Sequence, residues 1–188
     1  MSEATDSRCE VKGVWFVSLR EWLEANVARE VTQKINARLS PANREAMTDT
    51  LPSAWYAEEA LAEALRATDA EVTHGDREAL LDLIDACTQV GLSRFFKVLL
   101  RLATPRFVLL QVPTMWRQIR RGTGRVSAVP VADGIELRYT AFPYFSEPLY
   151  ELLTIGSVRA LMRTCTESTP ELRIVHRSRD ALTLRVML

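Results

Sequence analysis

The stretch "GLSRFFKVLLRLATPRFVLLQVPTMWRQIRRGTGR", residues 91–125, holds eight arginines and lysines, no acidic residue and long apolar runs. A membrane surface, a nucleic-acid groove and a pair of half-buried helices all use such material. Periodicity favours helices. Leu92, Phe95, Phe96, Leu99 and Leu102 share one face at helical spacing, with Arg94, Lys97 and Arg101 opposite. Thr104 and Pro105 then supply a cap and a first-turn residue for a second helix. That helix closes with Arg117, Arg120 and Arg121 before Gly122, where cations meet the negative end of the helix dipole. Pro113 removes a backbone hydrogen bond to Leu109 and predicts a kink.

The apolar run "FVLLQVP" is interrupted by Gln111 and Pro113 and falls short of the roughly 18 residues of a membrane span. No transmembrane segment is expected. Nucleic-acid binding calls for net positive charge and interleaved exposed aromatics. Here Phe95, Phe96 and Phe107 fall on the apolar faces, so no nucleic acid is expected as partner. Contact of the cationic face with an anionic membrane is the lesser alternative.

Outward from this stretch the charge reverses. Residues 1–90 carry 17 acidic and 9 basic groups, and residues 126–188 carry seven of each, so the three segments hold −8, +8 and 0. Such segregation suits self-complementarity, within one fold or between two copies. A chain of 188 residues is long enough for one domain with its own core. Cys9, Cys87 and Cys165 are odd in number and lack CxxC spacing, which points to a reducing cytoplasm. The start, "MSEATDSRCE", lacks the pattern of a signal peptide and reads as a flexible tail over residues 1–11, before one domain over 12–188.

Helical spacing begins at Gly13 with Phe16, Leu19, Leu23 and Val27, and resumes over 31–39. Ser40 and Pro41 start a short helix, "AWYAEEALAEALRAT" reads as another, and the stripe Leu80, Leu83, Ile84, Cys87 ends before Gly91. After Gly124 the period becomes two. "RVSAVPVADGIELRYT" is a hairpin turning at Asp133–Gly134, with Pro130 marking an edge strand. Ser146 caps a helix over about 147–166, whose small Gly156 and Ala160 predict close packing on the sheet. A last hairpin turns at "RSRD". Helices followed by ββαββ make an α+β domain with a four-stranded antiparallel sheet.

Catalytic chemistry is not apparent. "TIGSV" lacks the second glycine of a nucleophile elbow. His74 reads as a solvated turn residue, and His176 shares the strand parity of Leu172 and Ile174, which places it at the core edge. Glu58 and Glu59 read as solvated helix residues. Cys87, Cys165 and His176 lack metal-ligand spacing. "RRGTGR" lacks the lysine of a phosphate loop and leads into a strand.

The segments "VKGVWFVSLREWLEANV", "FFKVLLRLATPRFVLLQVPTMWRQIRRGTGRVSAVPVADGIELRYTAFP" and "LYELLTIGSVRALMRTCTESTPELRIVHRSRDALTLRVML" resemble the superfamily that joins haem nitric-oxide-binding domains, 4-vinyl reductase domains and the small subunits of the Golgi transport-particle (TRAPP) complex, and within it a bacterial branch of uncharacterised domains. The resemblance spans about residues 11–188. It implies a helical N-terminal half packed on a C-terminal ββαββ sheet, with a hydrophobic pocket between them in some members. Haem members carry a proximal His on the helix before the first hairpin, and "TPRFVLLQVPTMWRQIRRG" has none. Their Tyr-x-Ser-x-Arg propionate clamp is reduced to Tyr139, with Ala141 and Pro143 at the other two places. Haem is therefore not expected, nor is a metal at the last hairpin, where only His176 could replace a cysteine pair. The resemblance implies a non-enzymatic sensor or adaptor in bacterial signalling that binds a small apolar ligand, with Phe107, Trp116, Tyr139 and Phe142 as lining candidates. The alternative is a scaffold acting through a homodimer or a signalling-protein partner.

Overall fold

The computed structural model describes residues 8–95, 103–166 and 171–188. Strand β1 (Glu10–Lys12) leads into helices α1 (Val14–Asn26), α2 (Arg29–Arg38) and α3 (Pro41–Thr48). Then come β2 (Trp55–Ala57), α4 (Glu58–Thr68), a π-helical turn at Asp69–Thr73 and α5 (Arg77–Phe95). The second half holds α6 (Pro105–Ile119), β3 (Arg120–Arg121), the hairpin β4 (Arg125–Val131) and β5 (Gly134–Thr140), α7 (Pro148–Arg163), and the hairpin β6 (Leu172–Arg177) and β7 (Leu182–Met187). The architecture is α+β.

Strand order in the larger sheet is β4-β5-β7-β6, antiparallel throughout. Pro130 lies on the edge strand β4, where its missing N–H costs no ladder bond. Val131 pairs with Gly134, so the turn is Ala132–Asp133, one residue earlier than the spacing suggests. Gly134 serves a different need: a Cβ there would lie 1.9 Å from the Val186 carbonyl oxygen. Ile135, Leu137, Leu184 and Val186 are wholly buried on the inner face. Each such side chain contributes roughly 1.5–3 kcal/mol.

Helix α6 lies across β4 and β5 and buries Val108, Leu109, Val112 and Trp116. Thr104 caps it as expected, its hydroxyl oxygen accepting from the Phe107 N–H at 3.3 Å. Arg106 and Arg117 face water. The facing expected of Arg94, Phe95, Phe96, Lys97, Leu99, Arg101 and Leu102 lies outside the described side chains.

Several boundaries and contacts differ from the expectation. Residues 9–11, expected in a tail over 1–11, belong to the folded domain: Cys9 is buried and β1 inserts Val11, 0% exposed, as the centre of a three-stranded sheet β2-β1-β3, while the rest of that expectation, residues 1–7, lies outside the described residues. Trp55–Ala57 belongs to that sheet rather than to the following helix. Gly91 does not end α5. It lies within the helix, where a Cβ would stand 3.2 Å from Ser18 Oγ on α1, so the glycine permits a close helix crossing. Gly156 packs on α5 and not on the sheet, a Cβ there falling 2.6 Å from Ile84 Cγ2. Ser146 donates to the Pro143 carbonyl instead of capping α7. Ser40 precedes α3, but its N–H and hydroxyl both donate to Glu63 Oε2, at 2.9 and 3.0 Å. Burial pushes the Glu63 carboxyl up, and these bonds outweigh it to leave the group below its usual range.

Part of the charge segregation resolves within one chain. Arg120 pairs with Glu58 and Arg121 with Glu10. A second staple joins α5 to α7, where Asp85, 1% exposed, accepts from Arg159, Arg163 and Gln89.

Candidate functional site

The small sheet assembles the site. Val11 of β1 pairs with Tyr56 on one side and Arg120 on the other, so the start of α4 and the end of α6 meet across one strand. Glu58 opens α4, where the dipole favours a negative charge, and its backbone N–H donates to the Cys9 carbonyl at 2.9 Å. It is 0% exposed, against its reading as a solvated residue. Arg120 is 7% exposed and donates through Nε to both Glu58 carboxylate oxygens at 3.2 Å. Tyr150 of α7 donates to Glu58 Oε1 at 3.0 Å, and burial raises its phenol well above the ordinary value.

Aromatic rings close around this pair. The Arg120 guanidinium carbon lies 4.6 Å from the Trp116 ring centre, 5.7 Å from Trp15 and 5.8 Å from Phe142. Such cation–π contacts contribute about 0.5–2 kcal/mol each, more when desolvated. Trp116 also meets Tyr139 and Phe142 edge-on, with centroids 5.5 and 5.2 Å apart.

Above Arg120 opens a half-open cleft of about 130 Å³, walled by Val112, Met115, Trp116 and Ile119 of α6, Leu153, Val158 and Leu161 of α7, and Tyr139 of β5. A second compartment of about 100 Å³ adjoins it, sharing Thr88, Leu92 and Ile119 and continuing to Val14, Trp15, Ser18 and Cys87. Burial pushes the Cys87 thiol up to about 12, which keeps it neutral.

Of the expected lining residues, Trp116 and Tyr139 border the cleft. Phe142 is 2% exposed and packs behind Trp116. Phe107 is 51% exposed and stands apart on the outer side of α6, not on its apolar face. Arg120, expected near a helix terminus in water, is buried in β3. His176 is exposed rather than at the core edge, because β6 is an edge strand with a register shift between Ile174 and His176. His74 is the exposed turn residue expected, in the left-handed region with φ 51°.

Glu58 and Arg120 escape sequence reasoning as a pair. A signal for Glu58 exists: it precedes Leu61, Ala62 and Leu65 by three, four and seven residues and so sits on the buried face of α4.

Solved structures share this fold. A mutant of the Fe(II) unliganded H-NOX protein from K. algicida has a TM-score of 0.68 at 12% identity, over 94% of this chain and 95% of that one. This chain has the H-NOX fold. A Cs H-NOX mutant carrying 4-cyano-L-phenylalanine gives 0.66 at 15% identity, over 94% and 95% of the two chains. The oxygen complex of an oxygen-binding H-NOX domain related to soluble guanylate cyclases gives 0.61 at 14%, over 93% and 91%. No protein-family model and no curated protein matches the sequence.

Other H-NOX structures concern haem distortion, so the fold raises haem as an occupant. The residues here do not fit it. Both histidines, His74 and His176, lie exposed and away from the cleft. The sulfur groups lining the two compartments are the neutral Cys87 thiol and Met115, and the charge of Arg120 is already neutralised by Glu58. Each compartment is also far below the roughly 300 Å³ at which drug- or cofactor-sized sites begin. Among the described residues no group of His, Cys, Asp or Glu is placed to hold a metal ion, and no helix is long and apolar enough to cross a membrane.

Proposed function

We propose that this chain is a non-enzymatic sensor or adaptor domain whose cleft takes a small apolar molecule of about benzene size. The reading rests on one observation: the cleft of about 130 Å³ is apolar and is shared by α6, α7 and β5. An apolar cavity of about 150 Å³ binds benzene or xenon, which sets the scale of the occupant. An occupant there touches both the helical layer and the sheet, so binding biases how the two layers pack. That is the structural requirement of a sensor.

The H-NOX neighbours support the reading, since one was solved as an oxygen complex and another in an unliganded state. The proposal departs from them in replacing haem by a free organic molecule. A place in bacterial signalling, in the cytoplasm, and kinship with the 4-vinyl reductase and transport-particle domains belong to the same proposal.

Methyl NMR during titration with benzene tests it. Shifts should concentrate at Val112, Met115, Leu153, Val158 and Leu161. Ser157→Phe, which places a ring in the cleft, should abolish them while leaving the rest of the spectrum intact. Saturating benzene that leaves these methyls unmoved contradicts the proposal.

A further inference from the structure

Arg120 borders the cleft with hydrogen-bonding capacity unspent. Its Nε donates to Glu58, while its terminal nitrogens make no hydrogen bond among the described residues. Tyr139, also a lining residue of the cleft, has a hydroxyl that makes none either among those residues. Trp15 Nε1 and Ser18 Oγ are buried without a partner, but their residues line the adjoining compartment and not the cleft beside Arg120. The hydroxyls of Thr88, Thr154 and Ser157 give their protons to carbonyls of their own helices, at 2.8, 2.7 and 2.5 Å. They cannot donate to an occupant. Among the described residues that line this cleft, the side-chain donors left to an occupant are therefore those of Arg120 and Tyr139.

Charge then selects the acceptor. Glu58 already neutralises Arg120, so a ligand carboxylate would add an uncompensated charge in a dry setting, at a large desolvation cost. A carbonyl oxygen has two lone pairs for two donors and adds no net charge. We infer that the occupant is a small neutral carbonyl compound, a ketone or ester of about six or seven heavy atoms, with its oxygen on Arg120 and Tyr139 and its hydrocarbon body against Trp116. This rests on the proposed function and narrows its ligand class.

Calorimetric titrations with cyclohexanone, methylcyclohexane and cyclohexanecarboxylate separate the outcomes. Cyclohexanone should bind about tenfold or more tighter than methylcyclohexane, the factor expected of one hydrogen bond to a charged donor, and the carboxylate should bind weakest. Tyr139→Phe should reduce the ketone preference several-fold. The pair Glu58→Gln with Arg120→Met should remove the preference while methylcyclohexane still binds. If the double variant does not fold, an unchanged preference in Tyr139→Phe overturns the assignment of that donor. Equal binding of ketone and hydrocarbon overturns the inference and leaves the apolar-ligand reading standing. Tightest binding by the carboxylate overturns it in favour of an anionic head. Binding of none of the three overturns the proposed function itself.

Discussion

Replacing Arg120 by methionine removes the cation from Glu58 without opening a large void. Glu58 is 0% exposed, and its remaining side-chain donor is the Tyr150 hydroxyl at 3.0 Å. A buried charge stripped of its partner costs about 3–5 kcal/mol. At about 2–4 °C per kcal/mol for a chain of this size, the melting temperature should fall by roughly 6–20 °C. Glu58→Gln with Arg120→Met leaves no charge, and the amide oxygen introduced by the first change can still accept from Tyr150. The cation–π contact with Trp116 is lost in both variants, so the difference between them reports the stranded carboxylate. The double variant should recover to within about 1–2 kcal/mol of the parent, because neutral replacements of buried pairs are often tolerated. Urea unfolding and thermal melts of the four proteins of the cycle measure this directly. A single variant as stable as the parent, or a double variant no better than the single, would refute the reasoning.

Three further outcomes follow from other parts of the fold. Gly156→Ala places a methyl 2.6 Å from Ile84 Cγ2 and should destabilise by about 1–3 kcal/mol despite its better helix propensity, and urea melts should show a smaller cost for the same change made in an Ile84→Ala background. With its thiol pushed up to about 12, Cys87 should be alkylated by iodoacetamide at pH 8.5 on the order of a thousandfold more slowly than a free thiol, and mass spectrometry of the native protein reads this as an unmodified peptide. Hydrogen bonds from Arg185 and then Arg138 hold Glu136 below its ordinary 4.5. A depressed carboxyl contributes stability above its unfolded pKa and loses it as pH falls through the folded value, so Glu136→Gln should flatten the acid limb of stability below pH 4.5.

What the sequence disclosed depended on periodicity. The first hairpin alternates strictly enough that its antiparallel pairing and the edge position of Pro130 follow, and Thr104–Pro105 marks a helix start by local chemistry alone. Short strands such as Arg120–Arg121 have too few residues to alternate, so the sheet around Val11 was invisible. Because that sheet creates the site, Glu58 and Arg120 looked like ordinary surface charges 62 residues apart. Trp116 and Tyr139 could be placed, as each sits on the apolar face of a regular element. Phe107 could not, because one aromatic position in a helix with broad apolar coverage does not say which side meets the sheet.

The account turns on whether the cleft beside Trp116 accepts a small apolar guest. Xenon-pressurised crystals test this without any assumption about the natural ligand, since xenon needs only an apolar space of this size. A xenon atom bounded by Trp116, Val112 and Val158 is the expected result. Xenon bound elsewhere in the protein with this cleft left bare would contradict the account.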